Sequence, residues 1–277
     1  MSAVFAVDLG ATFLRTALVD TDQQISRRTL EPTPATASGC ADAIRAAWRT
    51  ADRQYPVAIA AAPLCDAKGQ VLRWPNRPDY EGGSIMPKEW DYEVLIVDDG
   101  HAAALAVHAN AAKDHVTVSL QIGTGIGAGA VVGGRLLAGR TASAMALGHI
   151  KVPAARGLPC SCGETGCLQA AASGRAFRRM LGRNGHVVAD IFALPPEVRG
   201  PVLARAADAV AEALTLVVKL LDPHWLAIGG SLGLSPLFDM CVSRLPACGG
   251  QIAPIRHPAG VDAPLIGAAL MARSGTT

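Results

Sequence analysis

The chain has 277 residues, half of them apolar and 17% charged, with a formal net charge of +2. That length exceeds what one hydrophobic core usually covers, so two domains are expected, and the apolar content excludes a disordered chain. The near-neutral balance and the lack of a Lys/Arg block argue against nucleic acid as a partner.

No apolar run approaches the roughly 18 residues of a membrane span. The N-terminus MSAVFAVDLG enters a strand without a basic leader, which predicts a cytoplasmic protein with no membrane partner. The isolated Cys40, Cys65, Cys241 and Cys248 then read as small buried hydrophobes in a reducing compartment.

The apolar runs 4–9, 13–19 and 25–30 predict a β-meander with a small turn, Gly10-Ala11-Thr12, after its first strand. Helical spacing of Ala, Ile and Trp over 36–52 is followed by a strand at 57–62, a loop over 63–87 and a strand at 93–97. Asp98-Asp99-Gly100 closes that strand ahead of an Ala-rich helix over 101–112. The alternation of strand and helix predicts an α/β chain.

The opening theme then returns. A strand over 116–122 leads into the glycine-rich turn Gly123-Thr124-Gly125-Ile126-Gly127, a strand over 128–132, and a Gly133-Gly134 hairpin into 135–138. Helices follow over 174–181 and 202–221, the second stopped by Asp222-Pro223. A strand over 225–228 runs into Gly229-Gly230-Ser231, and 263–273 forms a terminal helix. The shared plan of the two halves predicts a duplicated architecture.

Within the second half, His149 precedes Cys160, Cys162 and Cys167 in LGHIKVPAARGLPCSCGETGCLQAAAS. Three thiolates and an imidazole are the complement of a closed tetrahedral zinc site, which is structural because no position is left for a reacting water. Gly163 and Gly166 stand where a chain wrapped around a small ion needs tight turns or positive φ.

The two Gly/Thr turns suit a nucleotide, because small residues let backbone N–H groups and hydroxyls reach phosphate oxygens. A ligand-free hairpin explains either turn singly, and neither is a Walker A sequence. Asp8 is placed to hold a magnesium ion through water or to cap its turn. Asp99 is placed to accept the proton of an attacking hydroxyl or to cap the helix that follows.

Taken in order, DLGATFLR, Asp98-Asp99, GTGIGAGAVVGGRLLAG, LGH, CSCGETGCLQAAASG and IGGS resemble the ROK family (repressors, open reading frames and sugar kinases) over nearly the whole chain. SGRAF and IGAALMA are most similar to its N-acetylmannosamine kinase branch, and glucokinase members share most of these features. The resemblance implies an actin-like ATPase (ribonuclease H-like) duplicated α/β fold, two lobes with a central cleft. The lobes would be 1–113, completed by 263–277, and 114–262, which carries the zinc loop.

It further implies an ATP-dependent kinase using Mg2+ and a structural Zn2+, with a sugar as partner and a homodimer as an allowed assembly. Asp8, Gly10 and Thr12 would form the first phosphate turn, Gly123, Thr124, Gly125 and Gly127 the second, and Gly229 and Gly230 would border the adenosine. Asp99 would be the base. Asn76, Asp98, Asp99, His149 and Gln169 would meet the sugar, His149 with one ring nitrogen on zinc and the other on a sugar hydroxyl. The implied acceptor is the primary hydroxyl of a hexose or N-acylhexosamine, N-acetylmannosamine first and glucose second.

Two positions depart from the family. Ala146 stands where it usually has Glu before Gly-His, and Gln169 stands where it has Glu after the last Cys-Leu. Each lost charged acceptor is worth about 1.5–3 kcal/mol. A catalytically weakened ligand-binding member and a kinase for a cyclitol-like acceptor therefore stand beside the hexose kinase. A sugar-sensing repressor is disfavoured, since only seven residues precede Asp8 and those repressors place a helix-turn-helix there.

Overall fold

The structure is a computed structural model that describes residues 3–51, 55–88, 90, 94–182, 190–245 and 252–274. The chain divides into two compact units, Met1–Ala106 with Asp262–Thr277, and Val107–Val261.

In the first unit β1 (Val4–Leu9) is buried at all of its positions, as a strand covered on both faces must be. The turn 10–12 leads into β2 (Phe13–Val19), antiparallel with Leu14 opposite Leu9, and β3 (Ile25–Pro32) completes the meander. Asp20 Oδ1 closes the turn between β2 and β3 by accepting from the N–H groups of Asp22 and Gln24. Thr36 caps α1 (Ala37–Thr50) by accepting from the Gly39 N–H, and the helix buries Cys40 and Ile44 against the sheet.

β4 (Val57–Ala61) returns parallel to β1. The stretch 63–87, expected as a loop, contains the short hairpin β5 (Leu64–Cys65) and β6 (Val71–Arg73) and a 3-10 turn at Pro78–Tyr80. Pairings this short carry no periodicity to read.

β7 (Leu95–Asp98) starts later than the expected strand, whose Glu93 lies outside the described residues. α2 (Asp99–His108) starts two residues before the expected helix and ends four before it. The early start comes from Asp98, whose Oδ1 accepts from the N–H groups of Gly100 and His101. The early end comes from turns in which Asn110 and Ala111 donate to Val107 and His108.

The second unit repeats the scheme. β8 (Thr117–Ile122), β9 (Ile126–Val132) and β10 (Arg135–Leu136) form its meander. After the cysteine loop come α3 (Leu168–Ala172), absent from the sequence expectation, α4 (Gly174–Met180) and α5 (Pro196–Leu221). α5 begins six residues before the expected 202 because Pro196 sits at its start, where a missing N–H costs nothing, and Pro201 is carried inside the helix. Asp222 ends it in the left-handed region at φ 42°.

β11 (Trp225–Gly229), α6 (Gly230–Gly233), α7 (Leu237–Val242) and β12 (Ile255–Arg256) complete this unit. Val210, Leu214 and Val217 on one stripe of α5 join Leu120, Ile122 and Ile228 in its core.

The strand orders are β3-β2-β1-β4-β7 and β10-β9-β8-β11-β12, so strands of matching rank occupy matching places. In each sheet the first three strands are antiparallel and the rest parallel. The duplication expected from the two hairpins is therefore present strand for strand. The last helix, α8 (Ala263–Ser274), belongs to the first unit and packs on β1 and β4. It meets α2 so closely at Gly267 that an added Cβ would lie 1.7 Å from the Ala102 carbonyl oxygen.

Cys40 and Cys241 are fully buried as expected, Cys65 is only half-buried, and Cys248 lies outside the described residues. Among the described residues, no helix is long and apolar enough to cross a membrane.

Candidate active site

In the first unit the register of three parallel strands gathers the carboxylates. Leu9 lies level with Ala61, and Ala61 with Asp98, so Asp8 and Asp98-Asp99 emerge at the same end of the sheet with only alanine between them. The carboxyl ends of parallel strands are where α/β proteins hold their ligands.

Asp8 is buried and ion-paired to Arg15, which faces it across the β1–β2 hairpin. Burial raises the Asp8 carboxyl, and the Arg15 guanidinium works against that rise. Arg15 stands in the quoted DLGATFLR without an assigned role. The signal that would have found it is the hairpin itself, since a tight turn sets residue 8 opposite residue 15.

Asp98 and Asp99 have different neighbours. Burial raises Asp98, while His101 and the two capping N–H groups lower it. Asp99 is pushed well above the ordinary carboxylate value by burial first, then by Asp98 and Asp8. Three carboxylates thus crowd one strand end against one guanidinium. A divalent cation would relieve that repulsion, so the donor set fits a magnesium ion accompanying phosphates. Asp98, expected to meet the sugar, uses its Oδ1 as the cap of α2.

The turn 10–12 is fixed from behind. The Thr33 hydroxyl donates to the Gly10 carbonyl at 2.6 Å, and the Thr33 N–H donates to the Thr12 carbonyl at 3.0 Å. Asn76 is half-buried in the turn that the Arg77 N–H closes onto the Trp74 carbonyl.

In the second unit the glycine turn is anchored to α4: Gly174 N–H donates to the Gly123 carbonyl and Arg175 N–H to the Thr124 carbonyl. Gly125 and Gly127 continue that turn into β9, where Gly127 pairs with Gln121. Parallel pairing of β11 with β8 brings Gly229 level with Gln121. An added Cβ on Gly230, at φ +77°, would lie 2.5 Å from the Ile122 carbonyl oxygen. The expected Gly229-Gly230 pair therefore lies against the strand that feeds the Gly/Thr turn, and only glycine allows that approach.

The cysteine loop forms the cluster that the spacing predicts. One ligand atom from each of His149, Cys160, Cys162 and Cys167 lies within 4.8 Å of every other. The Cys162 and Cys167 sulfurs are 3.8 Å apart, and Cys160 Sγ is 3.8 Å from His149 Nδ1. A regular tetrahedron with zinc–sulfur bonds of 2.3 Å has an edge of about 3.8 Å, so the donors fit zinc in both chemistry and separation. Gly163 (φ +94°) and Gly166 (φ +80°) take the positive φ expected of them.

Neighbours stabilise the Cys160 thiolate, whereas burial first and then Cys160 and Cys162 push the Cys167 thiol up to about 11. Burial works against the Cys160 thiolate, but hydrogen bonds from the Cys162 N–H and the Gln169 amide outweigh it and hold the thiol below its ordinary value. Lys151 Nζ approaches Cys167 Sγ at 3.4 Å. Gln169, expected to meet the sugar, is buried and donates through Nε2 to Cys160 Sγ at 3.2 Å and Ser161 Oγ at 3.3 Å. Ala146 is exposed and immediately precedes the 3-10 turn Leu147–His149.

The structure thus brings together Asp8 with Asp98 and Asp99, Gly229 and Gly230 with the second turn, and the four metal ligands with Gln169. Asn76 lies on a separate loop of the first unit.

The ROK family model matches residues 4–274. The N-acetylmannosamine kinase of Citrobacter koseri is 32% identical, the alignment covering 98% of this chain and 99% of that protein. The glucokinase of Thermotoga maritima is 29% identical over 96% of each chain. Among solved structures, the ROK family glucokinase from Streptomyces griseus in complex with glucose and AMPPNP matches with a TM-score of 0.78 and 27% identity, covering 99% of this chain and 100% of that one.

Proposed function

The chain belongs to the ROK family, with the family's actin-like ATPase fold, and is an ATP-dependent carbohydrate kinase; we propose that it transfers the γ-phosphate to a primary hydroxyl of a hexose or N-acylhexosamine, N-acetylmannosamine ahead of glucose. The observation that carries the transfer is Asp99. It lies just past the end of β7, and burial with Asp98 and Asp8 pushes its carboxyl well up. A carboxylate that holds a proton more readily than usual is a better base for an alcohol.

In this mechanism Asp99 accepts the acceptor's hydroxyl proton as the oxygen attacks the γ-phosphorus in line. The turns 10–12 and 123–127 hold the phosphates, and Gly229-Gly230 leaves room for the adenosine. Magnesium, when bound beside Asp8, supplies positive charge to the transferring group. Arg15 keeps the Asp8 carboxylate oriented.

His149, Cys160, Cys162 and Cys167 would hold zinc as a structural ion. Nδ1 of His149 faces the thiols, so the ring's other nitrogen is the one that donates to a sugar hydroxyl. Gln169 keeps an amide oxygen to accept from the acceptor while its nitrogen serves Cys160. N-acetylmannosamine ranks first because the relative at 32% identity is a kinase of that sugar.

The test is a coupled ADP-release assay over N-acetylmannosamine, glucose, other hexoses and cyclitols, on protein whose zinc content has been measured. Release with N-acetylmannosamine above every other acceptor supports the reading. Release confined to a cyclitol moves the assignment to that class, and silence across the panel in zinc-replete protein overturns it.

A further inference from the structure

One side chain in the first unit ties the loop that carries Asn76 to the first phosphate turn. Arg77 Nη1 donates to the Ala11 carbonyl at 3.0 Å, a contact spanning 66 residues, and Nη2 donates to the Pro34 carbonyl at 2.6 Å. The guanidinium lies 5.0 Å from the centre of the Tyr80 ring and 6.0 Å from that of Trp74. Trp74 and Tyr80 pack edge to face and are buried, so the cation rests on a fixed aromatic shelf. Tyr80 Oη also donates to the Pro34 carbonyl, at 2.5 Å.

The consequence for the turn is electrostatic. With Thr33 on the carbonyls of Gly10 and Thr12 and Arg77 on that of Ala11, all three carbonyl oxygens of the turn are held by donors. Carbonyl oxygens repel phosphate, and fixing them fixes the orientation of the peptides between them. A charged donor on the Ala11 carbonyl also polarises that peptide, which strengthens its N–H, belonging to Thr12, as a donor to an anion.

The consequence for the acceptor is geometric. Asn76 immediately precedes Arg77, in a turn closed by the Arg77 N–H on the Trp74 carbonyl at 2.8 Å. The Arg77 side chain thus ties the backbone turn that carries Asn76 to the turn 10–12.

From these contacts we infer that Arg77 is a positioning residue that couples the nucleotide turn to the acceptor loop, so that occupancy of either favours occupancy of the other. The inference rests on the reading of residues 10–12 as a phosphate turn and of Asn76 as an acceptor ligand. Arginine suits this place because its planar fork reaches two separate carbonyls while lying beside two aromatic rings, a geometry that the point charge of a lysine ammonium does not reproduce.

The experiment measures AMPPNP binding by calorimetry with and without saturating N-acetylmannosamine, repeated with glucose, for the zinc-loaded wild-type chain and the Arg77→Met, Arg77→Lys and Tyr80→Phe variants, with thermal unfolding recorded for each. In the wild type, sugar tightens AMPPNP binding. Arg77→Met weakens AMPPNP binding roughly tenfold to a hundredfold, the effect of losing a charged hydrogen bond, and abolishes the tightening by sugar. Millimolar guanidinium restores part of both.

Arg77→Lys falls between, and it carries the test alone if Arg77→Met does not fold. Tyr80→Phe, which leaves the Ala11 contact in place, keeps AMPPNP affinity within about twofold and retains the coupling. Sugar-independent AMPPNP binding in the wild type, unchanged affinity and coupling in both Arg77 variants, or an equal loss in Tyr80→Phe overturns the inference while leaving the kinase assignment standing. A wild-type chain that binds no AMPPNP overturns both.

Discussion

Asp98 and Asp99 are neighbours in sequence with different surroundings: Asp98 Oδ1 accepts the N–H groups of Gly100 and His101 at 2.9 and 3.1 Å, and Asp99, the proposed base, is buried beside Asp98 and Asp8. Burial raises the capped carboxyl too, but His101 and those donors work against the rise. Its neighbour feels burial and two nearby carboxylates, so its proton affinity rises. Having one aspartate serve as the cap relieves the other of that role.

Asp99→Asn should lower the transfer rate by about 10² to 10⁴ while leaving AMPPNP affinity nearly unchanged. Single-turnover rates beside calorimetric binding check this; retained turnover would show that another group takes the proton.

The same carboxyl predicts two pH effects with definite signs. The base works only when deprotonated, so kcat/KM should rise with pH through the raised Asp99 value and fall on acidification. Its contribution to stability runs the other way. The folded chain holds this proton more tightly than the unfolded chain, so the stabilisation is complete below the ordinary 3.8 and lost as pH rises through the raised value. Asp99→Asn should therefore unfold at a higher temperature than wild type at neutral pH, and the gap should close near pH 3. Calorimetric scans across that range would contradict the assignment if the variant were less stable at neutral pH.

The zinc loop should serve the acceptor more than the nucleotide. Cys162→Ser, or chelation by a strong zinc ligand, should raise KM for the sugar tenfold or more while KM for ATP changes by less than about threefold. Zinc content by atomic absorption must fall in parallel, and equal loss of both substrates with a collapsed melting transition would indicate general unfolding.

Gln169 makes a contact that its expected role did not include. Its amide nitrogen donates to Cys160 Sγ, so Gln169→Leu should weaken zinc retention about 10–100-fold. Competition with a chromogenic chelator gives the affinity directly, and the ligand-field bands of the cobalt-substituted protein should shift. Zinc affinity equal to wild type would leave this side chain with the acceptor alone.

Two glycines should tolerate no side chain. Gly230→Ala would combine φ +77° with a Cβ 2.5 Å from the Ile122 oxygen, and Gly267→Ala would place a Cβ 1.7 Å from the Ala102 oxygen. Overpacking of this kind costs about 1–3 kcal/mol or more, read as a lowered midpoint of urea unfolding. Gly230→Ala should also weaken AMPPNP binding, which Gly267→Ala should not do in protein that remains folded.

The sequence by itself determined what depends on short separations. The two glycine hairpins, the strand–helix alternation and the Cys-x-Cys-x4-Cys loop were legible because each is set by residues within a few positions of one another, where turn chemistry and ligand spacing dominate. Tertiary structure alone decided that Asp98 caps α2, that Asp99 is crowded by two other carboxylates, that Gln169 turns toward a thiol, and that Arg77 reaches Ala11. Those outcomes depend on strand register and on side-chain contacts set by the fold, spanning 9 residues for Gln169 and 66 for Arg77. Burial and charge there come from neighbours that a linear reading does not place.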